Sequence, residues 1–547
     1  MLVKTIRPFS DTQKKKLILS GFIFLMLVHV IFTFAGFYDN DDINYARYAA
    51  GVMHNGVSCA TVKSHFQLRW ATIYSTAVFY SLFGITAFTS ALTAVISFSL
   101  CGILLYKILR QNNMAVYFLS LLFFFFAYST VFYMHRLLPD PAISLAVLWM
   151  YYSYRSYYLS SQYPVAKALQ FAATLFLAII TKETILIVLP LFLFFFIRDM
   201  VKKKRLLFWK YAVTAAIIFV GLYLVYFKIT TGDFFYRYHL LINTNAHSAF
   251  SFDKIPATYP FERIGYRLWR AMLLNGDMLV YLPAVAAIIY TKKINSVNIE
   301  RIDTFSFFIL LCCADLMTIS FSHYVPPPAD PRHFIFLLPL AAILGGSMVY
   351  AYLKDPAKFL LLPVFLLVAT AIMFWMNAGN TKYLYLLFSL LLTGRYIFVS
   401  STKKHFIFKL SLTGIGLLFS LNYVINFVRP VYPFYWGHKK LIHQVFEDKN
   451  ITATVFCADA FSAEMSEFFM QFKTGNIKFI SIDSLNTNTN AELYYLVNAN
   501  KSSTDKIKMD SIIAKNSASG VFLADTESTI FLYRVNNTVL NIMRGKY

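Results

Sequence analysis

The sequence predicts an α-helical polytopic membrane protein of about 13 transmembrane helices with a small C-terminal α/β extracytoplasmic domain. Two observations carry this. Hydrophobic residues make up 58% of 547 positions and charged residues only 14%, with a mean hydropathy of +0.56, which lies outside the range of soluble globular chains. In addition, Lys and Arg recur in short clusters between apolar runs. That places the net charge of +23 in loop asymmetry rather than in a nucleic-acid surface.

The elements follow from apolar length. Runs at 17–36, 84–106, 115–133, 141–158, 165–181, 184–198, 211–228, 272–291, 304–321, 333–353, 359–377, 382–400 and 406–427 are each near the ~20 residues a bilayer demands. Lys14-Lys15-Lys16 precede the first run, which is long enough to be an uncleaved span rather than a signal peptide. With the N-terminus inside, Lys107/Arg110, Arg155/Lys167, Lys202–Arg205, Lys292-Lys293, Lys354/Lys358 and Lys403-Lys404 all fall in cytoplasmic loops. The C-terminus is then outside. On this reading the cytoplasmic charges are anchors, and every charged cluster with a chemical purpose lies at the opposite end of the spans.

That opposite face collects the 37–83 loop, His135-Arg136 with Asp140, Lys182-Glu183, the 229–271 segment and the Pro-rich turn from His323 to His333. Ionisable groups at such positions are costly unless they share a polar cavity. The richest stretch is Tyr38-Asp39-Asn40-Asp41-Asp42-Ile43-Asn44-Tyr45. Its carboxylates sit where a helix leaves the bilayer on the side that lacks anchoring Lys and Arg. An acidic catalytic loop explains them. So does an acidic start to an interfacial helix near Ile43, stabilising its positive N-terminal end, and Asp42 fits that role better than Asp41.

From about residue 430 the apolar runs shorten and Asp, Asn, Ser and Thr rise. Strands are expected at Thr454–Cys457, Ile477–Ile482, Leu493–Val497, Val521–Ala524 and Thr529–Val535, and helices at Ala463–Phe472 and Thr504–Lys515. The division is thus a membrane domain over 1–429 and an α/β domain over 430–547. No Gly-rich phosphate loop follows any strand. Five cysteines give no disulfide framework, and a Cys59–Cys457 bridge stays open.

Asp41-Asp42-Ile43-Asn44-Tyr45-Ala46 and the stretch to Gly56, Leu82-Phe83-Gly84, Pro139-Asp140-Pro141, Thr181-Lys182-Glu183 and Arg332-His333 through Pro339 together resemble the GT-C glycosyltransferases. That superfamily includes bacterial lipid A aminoarabinose transferases and protein O-mannosyltransferases. The resemblance implies a GT-C-like fold and transfer, with inversion, of a sugar from a polyprenyl-phosphate donor. The acceptor would be lipid A, a polysaccharide or a protein on the periplasmic side of a bacterial inner membrane. It also implies Asp41 as catalytic base. Substrate-binding residues would be Asp39, Asp42, Tyr45, His65, Arg69, Asp140, Lys182, Glu183, His323 and Arg332. Phosphate suits Arg as a bidentate donor and Lys as a point charge. Arg263, Arg267 and Arg270, at i, i+4 and i+7, form a further basic stripe directed at either lipid head groups or the reaction centre.

No cofactor is expected, although Asp39-Asn40-Asp41 also reads as a pair of ligands for a divalent metal. The outward histidines show no metal spacing, and most of them read as rim residues. Where the aminoarabinose branch carries Phe-Glu-Lys-Pro, this chain has Phe66-Gln67-Leu68-Arg69, which disfavours aminoarabinose and leaves hexose or pentose open. An oligosaccharide ligase or polymerase is the nearest alternative. A lipid-linked sugar flippase is more distant, because it should show broken helices or internal repeats and the sequence displays neither.

Overall fold

The computed structural model describes residues 9–33, 37, 40–56, 64–246, 259–294, 300–318, 326–398, 403–427, 435–446, 452–482, 492–498, 522–525, 530–535 and 540. In chain order its helices are α1 (Asp11–Thr33), α2 (Asn40–Asn55), α3 (Trp70–Phe83), α4 (Ala87–Leu109), α5 (Met114–Phe126), α6 (Tyr128–Tyr133), α7 (Asp140–Ser160) and α8 (Pro164–Thr181). There follow α9 (Ile185–Val201), α10 (Leu206–Thr231), α11 (Tyr236–Ala246), α12 (Tyr259–Glu262), α13 (Leu268–Asn275), α14 (Met278–Ile289), α15 (Thr291–Ile294), α16 (Arg301–Leu316) and α17 (Leu338–Lys354). The last are α18 (Leu361–Trp375), α19 (Thr381–Ile397), α20 (Lys404–Phe427), α21 (Tyr435–Phe446) and α22 (Ala460–Phe469). Strands are β1 (Ala453–Cys457), β2 (Ile477–Ser481), β3 (Glu492–Asn498), β4 (Phe522–Asp525) and β5 (Ile530–Val535).

This is a polytopic helical membrane protein with a small sheet. Six of the described helical stretches are long and apolar enough to cross a membrane by themselves, and α5, α14 and α18 are shorter apolar helices. Each of the thirteen expected runs contains a helix. Two of them are interrupted, which the sequence reading missed. Run 115–133 breaks at Ala127, whose ψ of 143° separates α5 from α6, and run 272–291 breaks at Gly276, with φ 89°. Both breaks are closed by side chains. Asp277 accepts from the Ser129 amide at 3.0 Å and from its hydroxyl, and Tyr385 donates to the Leu273 carbonyl at 3.0 Å.

The chain falls into two compact units. The first comprises Met1–Phe32, Ser58–Thr72 and Thr93–Val428. At its centre the stretch Pro331–Lys354 is almost wholly buried. Close approach is possible there because Gly345 and Gly346 carry no side chain. A Cβ on Gly346 would lie 2.5 Å from Ser120 Oγ and 2.7 Å from the Ser120 amide, and one on Gly345 would lie 3.0 Å from the Val280 carbonyl. Small residues at helix contacts of this kind are how membrane helices gain packing without a hydrophobic drive from lipid. By contrast α10 keeps Ile217, Leu222, Val225 and Ile229 exposed, as a lipid-facing helix should.

Two carboxylates in this unit overturn the expectation that purposeful charge is confined to one end. Asp199 is buried and accepts from Tyr154 Oη at 2.7 Å, Arg205 at 3.1 Å and Trp209 Nε1 at 3.1 Å, with Arg198 at 3.2 Å. Asp303 receives Arg155 in bidentate fashion at 2.6 and 2.9 Å, together with the Tyr151 hydroxyl. Arg155, Arg198 and Arg205 are therefore helix-to-helix ties as well as loop cations. The two carboxylates escaped notice because each stands just beyond the end of an apolar run, beside loop cations, where a lone Asp reads as solvated.

The second unit comprises Thr33–Val57, Ile73–Leu92 and Arg429–Tyr547. Its sheet has the order β2-β1-β3-β5-β4. β1 runs parallel to β2 and β3, while β5 is antiparallel to β3 and β4. The β1-α22-β2 connection is the helical crossover that parallel pairing requires. Phe456, Leu493, Tyr495, Val497 and Tyr533 form its core. All five expected strands are present, each within two residues of its expected bounds, and the 463–472 helix begins three residues earlier than expected. The 504–515 helix lies outside the described residues. Cys457 is a free, buried thiol in β1, so it is not held in a disulfide; Cys59 lies outside the described residues.

The expected 37–83 loop is corrected by this unit and the preceding one. The stretch contains α2, a 3-10 turn His65–Leu68 and the apolar helix α3. At 14 residues α3 is too short to register as a span, which is why it was read as loop. Asp41 and Asp42 lie in the first turn of α2. The acidic stretch is a helix start, and Gly56 ends that helix with φ 71°.

Candidate functional site

In the first unit, α8 stops at Thr181, and Lys182 adopts an extended backbone (φ −160°, ψ 150°) before α9 begins at Ile185. Extended backbone sends successive side chains to opposite sides. Lys182 and Glu183 accordingly enter two different polar networks from one peptide unit.

On the lysine side, Nζ lies 2.5 Å from Asp140 Oδ1 and 3.0 Å from His333 Nδ1. Asp140 starts α7 between Pro139 and Pro141, where a carboxylate also complements the helix dipole. Arg332 and His333 ride on the 3-10 turn Pro331–Leu337, whose start is capped by Asp330 accepting from the Arg332 amide at 3.0 Å. Arg332 Nε lies 3.4 Å from His333 Nε2 and 3.6 Å from Asp330 Oδ2. The Tyr133 hydroxyl donates to Asp330 at 3.1 Å.

On the glutamate side, Glu183 accepts from Arg69 at 2.8 Å and from Arg237 at 2.9 Å. Arg237 also donates to the Ile179 carbonyl at 2.7 Å and to Tyr223 Oη at 3.1 Å. Trp70 packs against Tyr223, Tyr226 and Phe227 and so fixes the segment that carries Arg69.

Burial sets the electrostatics. For Glu183, burial pushes the carboxyl pKa up, but Arg69 and Arg237 outweigh it and hold the group well below the usual carboxylate range. Burial lowers the Lys182 ammonium, an effect that Asp140 opposes. His65 is held down to about 4, by burial first, with Glu183 acting in the other direction. An ammonium has three donors, and the described partners of Lys182 take two.

The structure therefore brings together Arg69, Asp140, Lys182, Glu183 and Arg332, with His65 in the same electrostatic field. His333 and Arg237 belong to these networks although neither was named as a binding residue. Arg332-His333 was visible as a motif, whereas Arg237 stood in a segment read only as long and polar. Asp41, Asp42 and Tyr45 lie in the second unit. There Asp42 is buried with Oδ1 3.1 Å from the Ile43 amide, as expected of a helix-start residue, and Tyr45 is buried. Asp39 and His323 lie outside the described residues.

Two further expectations are corrected. Arg263 is fully buried and donates to the carbonyls of Ala314 at 3.2 Å, Asp315 at 2.9 Å and Pro327, so it is a structural tie. A π turn over Arg263–Arg267 breaks the i, i+4, i+7 register that put it in line with Arg270. His135 is not a rim residue: it is buried, with its ring stacked 5.7 Å from that of His29.

Arg270 stays exposed at an apolar cavity of about 950 Å³ lined by Tyr266, Trp269, Leu282, Phe365 and Trp375. Among the described residues no group of three or more His, Cys, Asp or Glu could hold a metal.

This architecture is the GT-C fold. The chain superposes on the crystal structure of ArnT from Cupriavidus metallidurans bound to undecaprenyl phosphate with a TM-score of 0.57 at 12% identity, covering 97% of this chain and 99% of that one. The apo structure of the same protein gives 0.52 at 12% identity, over 96% and 98%. No family model and no curated protein matches the sequence.

Proposed function

We propose that the protein is a membrane glycosyltransferase that moves a sugar, hexosyl or pentosyl, from a polyprenyl-phosphate donor to an extracytoplasmic acceptor with inversion. The observation that carries this is Lys182, a buried ammonium held by Asp140 and His333 with one donor directed to neither. A phosphate oxygen completes its shell. The apolar cavity beside Arg270 supports the same reading, because a polyprenyl chain needs a greasy groove with a cation near its phosphate end. The solved structure of the same fold, ArnT from Cupriavidus metallidurans, carries undecaprenyl phosphate.

In the reaction the acceptor hydroxyl oxygen attacks the anomeric carbon from the face opposite the phosphate. The carbon–oxygen bond to phosphate breaks with its electron pair staying on the phosphate, and the hydroxyl proton passes to a carboxylate. Asp41, at the start of α2, is assigned as that base. Lys182 and Arg332 are assigned to the phosphate, whose developing charge they stabilise. Phosphate leaves readily, so no strong general acid is required. We assign no obligatory metal, and a chelator should leave transfer largely intact.

Two closed breaks do not make a flippase. At the first break the Ser129 amide, and at the second the Leu273 carbonyl, meets a fixed side chain, whereas transport paths leave such groups for the substrate. Mass analysis of cell-envelope glycans with and without the protein tests the assignment, since it reports sugar mass and acceptor together. Unchanged glycans alongside altered movement of lipid-linked sugar across the membrane would replace it with transport. Impermeant thiol labelling of cysteines placed at Asn450 and at Lys203 tests the orientation, with reaction expected at the first alone.

A further inference from the structure

The second unit contains both α2 and the C-terminal sheet with its helices, and their contacts bracket Asp41 in the chain. Four residues before it, the buried Phe37 ring meets Phe468 of α22 edge-on at 4.7 Å. Six residues after it, roughly 9 Å along the helix axis, Arg47 pairs with Glu467 at 2.8 Å and with Glu464 at 3.7 Å. Its guanidinium also lies 5.9 Å from the Phe472 ring centre, and Asn44 Oδ1 accepts from it at 2.8 Å.

The receiving helix is itself well fixed. Asp459 caps α22 by accepting from the Ser462 amide at 2.9 Å and hydroxyl at 2.7 Å. Ser466 on α22 contacts His438 of α21 at 2.9 Å, and Tyr435 of α21 packs against Phe469. Asp42, Ile43, Tyr45, Ala46, Ala49 and Ala50 supply the buried side of α2. The alanines of its second half seat the helix closely without fixing its rotation, and Arg47, midway along the helix, adds a directional contact.

We propose that Arg47 is a positioning residue: clamped by Glu464 and Glu467, it lets the C-terminal domain fix the direction in which α2 presents Asp41. This rests on the reading of Asp41 as the base. It gives the C-terminal domain a role in the reaction without any substrate contact of its own. A rotation of α2 that misplaces a reacting carboxylate by an ångström costs rate far beyond the strength of the pair that held it.

The test uses the full chain and two readouts, hydrogen exchange across residues 41–50 and the mass of envelope glycans in cells carrying each variant. Arg47→Ala should speed exchange of α2 amides roughly fivefold, the loss expected for a half-exposed ion pair, and leave β1 to β3 unchanged. It should lower glycan modification about tenfold or more. Arg47→Glu combined with Glu467→Arg should recover both, which a loss of general stability would not permit. Wild-type exchange and modification in Arg47→Ala, or a charge swap that recovers neither, overturns the proposal. The base assignment fails separately: in that case Asp41→Asn keeps full modification while Arg47→Ala still loosens α2.

Discussion

Nζ of Lys182 lies 3.0 Å from Nδ1 of His333, while Arg332 Nε donates toward the other ring nitrogen, Nε2, at 3.4 Å. A neutral imidazole accepts at only one of its two nitrogens. The two cations thus compete for one acceptor. An anion near this end relieves the competition, since the cation that His333 does not accept can turn to it.

Asp41→Asn and Lys182→Ala should therefore fail in different ways. Asp41→Asn keeps shape and removes basicity, so turnover should fall by roughly 10²–10⁴ while undecaprenyl phosphate still binds. Lys182→Ala should weaken both, because the phosphate loses a charged partner in the ground and transition states alike. Binding of undecaprenyl phosphate measured beside transfer decides it. Loss of binding in Asp41→Asn and retention in Lys182→Ala would invert the two roles.

Glu183→Gln should act on stability first. It leaves Arg69 and Arg237 buried beside a neutral amide, a loss of about 3–5 kcal/mol when one partner of a buried ion pair is removed. A clear drop in thermal midpoint in detergent is expected. A midpoint equal to wild type would mean that Arg69 and Arg237 draw their compensation elsewhere.

His65 gives a pH dependence with a definite sign. Folded, its pKa is lowered to about 4 by burial, while the unfolded chain titrates near 6.5. The unfolded state then binds more protons between these values. The stability tied to neutral His65 is fully present above about 6.5 and is lost as pH falls toward about 4, with a slope of at most about 1.4 kcal/mol per pH unit. Unfolding measured across that window should flatten in His65→Asn, and an unchanged slope would assign the effect to another group.

Gly346→Ala probes the packing that holds the 3-10 turn in place. Its Cβ would enter to 2.5 Å of Ser120 Oγ and 2.7 Å of a backbone amide, and backbone cannot step aside cheaply. Overpacking of about 1–3 kcal/mol is expected, read as a lower thermal midpoint. Gly346→Ala with Ser120→Gly should recover part of it.

What the sequence made legible follows from which physical signals are local. Apolar length located a helix in every expected span, and alternation located β1 to β5, because both are properties of short windows. Lys182-Glu183 stood out because adjacent opposite charges between two apolar runs have no cheap solvated explanation. Arg237 did not, since its meaning comes from Glu183, 54 residues away. Arg263 misled for the same reason: a basic stripe looks solvent-facing until a π turn and three carbonyls, remote in sequence, take the guanidinium inward. The break at Ala127 was hidden because its own side chain is as apolar as the run before it, whereas that at Gly276 carries a turn signal, Asn275-Gly276-Asp277, which the apolar length on both sides outweighed.

Two charge networks are joined at Lys182 through a single extended residue. Just beyond it the chain is already turning into α9, with the Ile185 amide donating to the Lys182 carbonyl at 3.3 Å and the Leu186 amide to the Glu183 carbonyl at 3.0 Å. A residue inserted between Thr181 and Lys182 would take the extended place itself, moving lysine to the station beside Arg69 and Arg237 and glutamate into the start of the helix. The connection should therefore tolerate many substitutions in the flanking helices yet almost no change of length.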